Sequence, residues 1–333
     1  MTREGAGHPA PSTAAPRDPV PGRPPRAVTA RVADTRYLAP GVAATVLEAP
    51  DIAATAAPLQ FVQVGLPAGG SCGAAVPGRP FLRRPFSIYD ADPATGRLTI
   101  VYGIVGPGTA LLAGLAPGAT VELLGPLGRP VPVPTSPPPR GGAPGPDAPL
   151  WLVAWSWQAV ALRFLAARAV AAGVAVTALL AAEGEVARVL AGVWAPLAPP
   201  APADRPGELA GLARAGGLHG HLAVVPPAEL PALLAAALDG NGATAVAGAA
   251  RPALAGPGTG PRLFAVGPRP FLRQVQRIVR DRPVDAFLVV DAYMPCGYGA
   301  CLACAVPVRD GAGTRYALAC TEGRWFAAGE VIL

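Results

Sequence analysis

Hydrophobic positions along the chain show two textures. From residue 28 to 130 they form short alternating or apolar runs: Thr45 to Leu47, Gln60 to Val64, Leu98 to Tyr102 and Thr120 to Leu124. Gly, Pro and Asp separate the runs, which predicts a sandwich or small barrel of antiparallel strands. One short helix is expected from Thr109 to Leu115, stopped by Pro117. From Leu150 the pattern changes. Trp151 to Ala154 reads as a buried strand, Gln158 to Ala172 as a helix ended by Gly173, and Val174 to Leu180 as the next strand. Leu263 to Val266 is another strand, followed by Gly267-Pro268 and a helix through Arg280. Strands alternating with helices imply a parallel sheet. Residues 195–220 and 239–262 are rich in Ala, Pro and Gly and receive no assignment.

Composition changes this picture in two ways. Gly (41) and Pro (43) are abundant, yet 51% of the 333 residues are hydrophobic and only 14% charged, too apolar for a disordered chain. The Pro/Gly density is concentrated in residues 1–27, expected as a disordered arm, and in 131–149, expected as a linker. All 27 basic residues are arginine, scattered mostly singly, so the net charge of +6 gives little support to nucleic-acid binding. The most apolar region, Trp151 to Ala182, is interrupted by Arg163 and Arg168, and no run reaches the ~20 residues of a spanning helix. No signal pattern opens the chain. The expectation is a soluble cytoplasmic protein.

Candidate chemistry is concentrated near the carboxy end. Cys296, Cys301, Cys304 and Cys320 are spaced C-x4-C-x2-C-x15-C, the spacing of plant-type 2Fe–2S sites. Gly297 and Gly299 give a tight loop its freedom and let backbone N–H groups point at sulfur. A zinc site and structural disulfides are the alternatives. Zinc usually pairs one C-x2-C with a second or with clustered His, and disulfides suit an oxidising compartment. Cys72 reads as an ordinary free thiol. No paired carboxylates and no Ser/His/Asp set are visible, and His219 and His221 form an isolated pair.

A second group lies in the β region. Arg84-Pro85-Phe86-Ser87 opens a strand, where an arginine suits a phosphate and a serine a flavin ring. Val105-Gly106-Pro107-Gly108-Thr109 precedes the short helix. Each motif alone is weak. Together with the cysteines, they make the chain resemble the electron-transfer subunit of the flavin-dependent dihydroorotate dehydrogenase complex, in the ferredoxin–NAD(P) reductase superfamily. The resemblance runs from Ala27 to Leu333. It rests on RPxS, on an LYRVVGxGT-like stretch from Val101 to Thr109 with Gly103 where the family has arginine, on Leu124 to Gly128 as LGPLG, and on the cysteine quartet.

The resemblance implies an FAD-binding β-barrel over residues 28–130, with Arg84, Pro85, Phe86, Ser87, Val101, Tyr102, Gly103, Gly108 and Thr109 at the flavin. It implies a Rossmann-like parallel-sheet domain over 150–282 and a small C-terminal 2Fe–2S domain over 283–333, with Cys296, Cys301, Cys304 and Cys320 as ligands. Its partner would be a flavin-containing dehydrogenase catalytic subunit in a hetero-oligomer, by resemblance dihydroorotate dehydrogenase of pyrimidine biosynthesis. The nucleotide loop departs. A glycine-rich GGGxGxAPL-like loop is replaced by Ala154 to Leu162 with Trp155 and Trp157, and Val266 replaces the cysteine of CGPxPM. Conventional NAD(P) binding is therefore not expected. The tryptophans would either fill the groove as core or stack on another aromatic group. The alternatives are an FAD/2Fe–2S reductase serving another partner, or a non-catalytic assembly subunit retaining the cluster.

Overall fold

A computed structural model of the chain describes residues 25–66, 82–133, 149–194, 220–239, 261–311 and 313–333. Most of the expected arm and linker, Cys72, His8, His219 and most of the two unassigned Ala/Pro/Gly stretches lie outside the described residues.

Six antiparallel strands close a barrel: β1 (Arg26–Ala39), β2 (Val42–Glu48), β3 (Phe61–Gly65), β4 (Arg84–Asp92), β5 (Arg97–Gly103) and β6 (Thr120–Leu127), in the order β1-β2-β5-β4-β3-β6. Their inward positions alternate along each strand, as in Leu98 and Ile100 of β5 or Val121 and Leu123 of β6. Two short helices serve the barrel, α1 (Pro50–Ala53) and α2 (Pro107–Ala113). The long β1 gave no clean period in the sequence. Register shifts between Val32 and Asp34 and between Tyr37 and Ala39 break its alternation.

The second layer is a six-stranded sheet built from β7 (Leu150–Trp155), β8 (Val176–Ala181), β9 (Gly220–Val225), β10 (Arg262–Val266), β11 (Asp285–Val289) and β14 (Trp325–Ala327). Their order is β14-β11-β10-β7-β8-β9. Every neighbouring pair is parallel except β11 with β14. Its strands read as continuous apolar runs because both faces are covered. Leu152, Ala154, Leu180 and Phe264 face a core with α3 (Val160–Ala171) and α4 (Gly184–Trp194). Trp151, Val153, Leu179 and Leu263 face the other way, onto α5 (Leu230–Leu238) and α6 (Arg269–Val279). Burying one large apolar side chain contributes about 1.5–3 kcal/mol, so this two-sided alternation fixes the strand register.

The barrel and sheet are in direct contact. Phe164 of α3 is fully buried in the barrel core, Arg168 donates to Ala91 O at 3.0 Å, and the Tyr89 hydroxyl donates to Val193 O at 3.1 Å. At the sheet edge Arg129 stacks on Trp325, 3.6 Å from its ring centre, and donates to Trp325 O at 2.8 Å. Between β11 and β14 the chain makes a loop, then a hairpin of β12 (Ala305–Asp310) and β13 (Gly313–Leu318), then α7 (Ala319–Glu322). The expected combination of antiparallel barrel, parallel sheet and small C-terminal unit is the one found. Asp285–Val289, on the C-terminal side of residue 282, pairs with β10 inside the sheet.

Candidate redox site

The β12–β13 hairpin explains one half of the cysteine spacing. Its register pairs Ala305 with Leu318, which places Cys304 beside the residues following β13. Ala319 N donates to Cys304 O at 3.1 Å, and the Cys304 and Cys320 sulfurs lie 3.2 Å apart, both buried. That separation is far beyond the ~2.05 Å of a disulfide. The other two cysteines sit on the preceding loop. Gly297 (φ +82°) and Gly299 (φ +87°) turn it through left-handed conformations that resist a side chain. Backbone N–H groups of Cys301, Tyr298 and Ala300 then reach the Cys296 sulfur, and its thiol also interacts with that of Cys301. Burial alone would push the Cys296 thiol up, but these hydrogen bonds outweigh it and bring it down to about 6. Burial and the neighbouring Cys304 thiol push Cys320 the other way, up to about 12.

The donor set is thus grouped two and two. Among the described residues no three Cys, His, Asp or Glu side chains are gathered around one point. Two adjacent thiol pairs, with amides directed at sulfur, match a two-iron cluster with two thiolates per iron.

The loop is seated on the barrel. Gln63 Nε2 donates to Met294 O. A Cβ on Gly297 would stand 2.8 Å from Gln63 Cγ and 3.0 Å from Leu127 Cδ1. Gln63 in β3 pairs directly with Pro85 in β4, so the cysteine loop lies one strand away from the Arg84–Ser87 segment.

On that segment the Arg84 guanidinium lies over Gly108, where any Cβ would collide with it, and donates to Leu82 O at 2.5 Å. Thr109 Oγ1 accepts from Val105 N (3.0 Å) and Gly106 N (3.2 Å), which holds the turn at the start of α2. Val105 at its tip and Leu82 beside Arg84 are exposed apolar side chains, and nothing stands within 4 Å of a Cβ at Gly106. An accessible guanidinium on an open glycine turn suits a phosphate. Phe86 is buried against Tyr102, ring centres 5.1 Å apart, and Tyr102 shares a 2.9 Å hydrogen bond with Thr45. Val101 is buried and Gly103 ends β5. Pro85 is exposed. The Ser87 hydroxyl accepts a 2.9 Å hydrogen bond from Arg324. Gln63 and Arg324 were not singled out in the sequence, because neither carries a motif and each gains its place through tertiary contacts.

Comparison with known proteins agrees with this geometry. Residues 291–332 match the model for the iron-sulfur cluster binding domain of dihydroorotate dehydrogenase B. The chain is 32% identical over 276 residues, covering 83% of this chain and 87% of the relative, to the dihydroorotate dehydrogenase B (NAD(+)) electron transfer subunit of Geobacillus kaustophilus. The chain belongs to the family of dihydroorotate dehydrogenase B electron transfer subunits. The Desulforamulus reducens member is 27% identical, covering 91% of this chain and 97% of its own length. A solved structure of an NADH-dependent reduced ferredoxin-NADP oxidoreductase shares the fold, with a TM-score of 0.62 at 19% identity over 91% of this chain and 89% of that one.

The crevice of the parallel sheet lacks the glycine-rich loop that the resemblance implies. Such sheets bind ligands outside the carboxyl ends of the strands, where the strand order reverses. Here that point lies between β7 and β10, and it is filled. Trp155 at the end of β7 packs on Phe271 of α6, ring centres 5.3 Å apart. A Cβ on Gly267 would meet the Phe271 ring and stand 2.9 Å from Trp155 Cβ. Ser156 takes φ +53°, a left-handed conformation usual for glycine. Trp157 packs against the core shared by α3 and α4, and Gln158 Nε2 donates to Asp291 at 2.6 Å. Of the two alternatives for the tryptophans, core packing describes both, each partly buried against a core cluster, with the Trp155 ring tilted at 47° to that of Phe271. These residues do not fit a dinucleotide pyrophosphate, which needs bare backbone at this turn.

Proposed function

We propose that the chain relays electrons between FAD on the barrel and a 2Fe–2S cluster on Cys296, Cys301, Cys304 and Cys320, in exchange with a dihydroorotate dehydrogenase catalytic subunit. The observation that carries this reading is the seating of the cysteine loop on β3, directly beside the strand of Arg84, Pro85, Phe86 and Ser87. When bound, the flavin supplies the switch between two-electron and one-electron exchange, and the cluster takes one electron at a time.

The chain's own residues divide the remaining work. Arg84 offers a cation to the cofactor's phosphates, and Gly108 leaves the space the guanidinium occupies. Thr109 shapes the turn beside it. Phe86, Tyr102, Val101 and Gly103 form the buried floor and end of the strands beneath. Ser87 offers its hydroxyl to the ring. The amides gathered around Cys296 favour thiolate, and the exposed Cys301, Tyr298 and Leu302 bring that side of the loop to the surface where a partner subunit can approach. Four free cysteines, none of them in a disulfide, suit a reducing cytoplasm. Among the described residues no helix is long and apolar enough to cross a membrane.

The filled crevice supports a narrower statement about electron donors: pyridine nucleotide is not the direct redox partner. The test is anaerobic purification followed by iron, sulfide and FAD analysis and visible spectra. We expect both chromophores to bleach with dithionite and not with NADH or NADPH. Rapid bleaching by either nucleotide would refute the closed crevice, and a colourless protein containing zinc would refute the relay.

A further inference from the structure

Arg324, between α7 and β14, is a buried cation with too little around it. Its side chain is only 6% exposed. One Nη donates to Ser87 Oγ at 2.9 Å. The other stands 3.6 Å from an Asp291 oxygen, a long contact to a carboxylate that is 54% exposed and already accepts from Gln158 at 2.6 Å. The Nε is buried with no hydrogen-bond partner. Ion pairs that reach into water contribute little, while taking a guanidinium out of water is costly unless its donors are satisfied. Arginine does not relieve that cost by losing its proton near neutral pH. A buried, underpaired positive charge on the serine of the RPFS segment therefore calls for negative charge from a bound group.

We propose that Arg324 is a positioning residue that acts through Ser87 on the bound flavin, raising its reduction potential and keeping its reduced form anionic. The inference rests on the flavin reading above. The chemistry balances as follows. Oxidised flavin takes two electrons and one proton, the proton going to N5, and the second proton that free flavin would take at N1 stays in solvent. The electrons come from the partner subunit or, in the test, from a chemical reductant. A cation one hydrogen bond from the ring's serine favours the charged state and lowers proton affinity at the reduced ring by about tenfold or more.

The experiment is spectroelectrochemical titration of flavin in the complete chain with both cofactors bound, as a function of pH on the acid side of neutrality. The wild-type potential is expected to vary as one proton per two electrons. Arg324→Gln, with FAD retained, should show a lower potential and a slope steepening toward two protons per two electrons. Arg324→Lys should restore the wild-type slope. A wild-type slope of two protons per two electrons would overturn the proposal without any variant, so a misfolded Arg324→Gln does not shield it. Unchanged potential and slope in a flavin-loaded Arg324→Gln would overturn it equally. Preparations without any flavin absorbance would instead sink the underlying flavin reading, an outcome visible before potentials are measured.

Discussion

Gly297 is where the cluster loop meets the barrel, and Gly297→Ala isolates that contact. The residue has φ +82°, and the new methyl would stand 2.8 Å from Gln63 Cγ and 3.0 Å from Leu127 Cδ1. The left-handed conformation costs a non-glycine residue about 1–2 kcal/mol. Overpacking against the two barrel side chains adds about 1–3 kcal/mol. The sum, about 2–5 kcal/mol, exceeds the ~1 kcal/mol of the Gln63–Met294 hydrogen bond that ties the loop to β3. The loop should therefore lift from β3 rather than compress it, taking Cys296 and Cys301 away from Cys304 and Cys320. Gly311→Ala supplies the control, because that glycine has φ +56° but nothing within 4 Å of a Cβ, so it bears only the backbone cost of about 1–2 kcal/mol. The assay is iron and acid-labile sulfide per chain after anaerobic purification, read beside FAD content. Gly297→Ala should lose most of its cluster and keep its flavin, and Gly311→Ala should keep both. Full iron and sulfide in Gly297→Ala at unchanged thermal stability would show that the loop is not held as described.

Two further outcomes are expected. In cluster-free chain, Cys296 should be alkylated with a rate that rises through about pH 6 and levels above it, while Cys320, pushed up to about 12, stays unreactive at neutral pH. Because the folded Cys296 thiol lies below its ordinary value, its thiolate contributes stability at alkaline pH that is lost as pH falls through about 6. Equal labelling of both cysteines at neutral pH, followed by peptide mapping, would contradict the amide cradle. Trp151 is buried with its indole N–H unpartnered. Trp151→Phe should thus cost only about 1 kcal/mol, since it also removes an unsatisfied donor, whereas Trp151→Ala should cost about 3–5 kcal/mol in chemical denaturation.

What could be read from the chain alone followed from where information is local. The cysteine spacing is local, and the structure adds only the hairpin register that brings Cys304 to Cys320. The β7 and β8 runs were readable because burial on both faces leaves an unbroken apolar string. β1 was not, since its bulges shift polar residues across the pattern. Helix α5 was lost in alanine-rich sequence whose periodicity is faint, and neither α4 nor α5 is preceded by a Ser, Thr or Asn cap signal. Gln63 and Arg324 lie outside any motif, and their importance comes from contacts 231 and 237 residues away in sequence.

The filled crevice and the flavin-motif strand are joined by a continuous set of contacts. Trp155 and Phe271 close the crevice at the end of β7. From the same turn Gln158 holds Asp291, Asp291 faces Arg324, and Arg324 holds Ser87 on the flavin-motif strand. A pyrophosphate at this turn would have to displace the aromatic pair and compete with the Gln158–Asp291 contact. Removing Trp155 alone would leave that chain in place, together with the left-handed Ser156 and the absent glycines. Trp155→Gly should therefore open space without conferring NADH oxidation. If that single change produced rapid flavin reduction by NADH, the crevice would be a plugged nucleotide site rather than a rebuilt one, and the Gln158 to Ser87 connection would have no part in excluding the nucleotide.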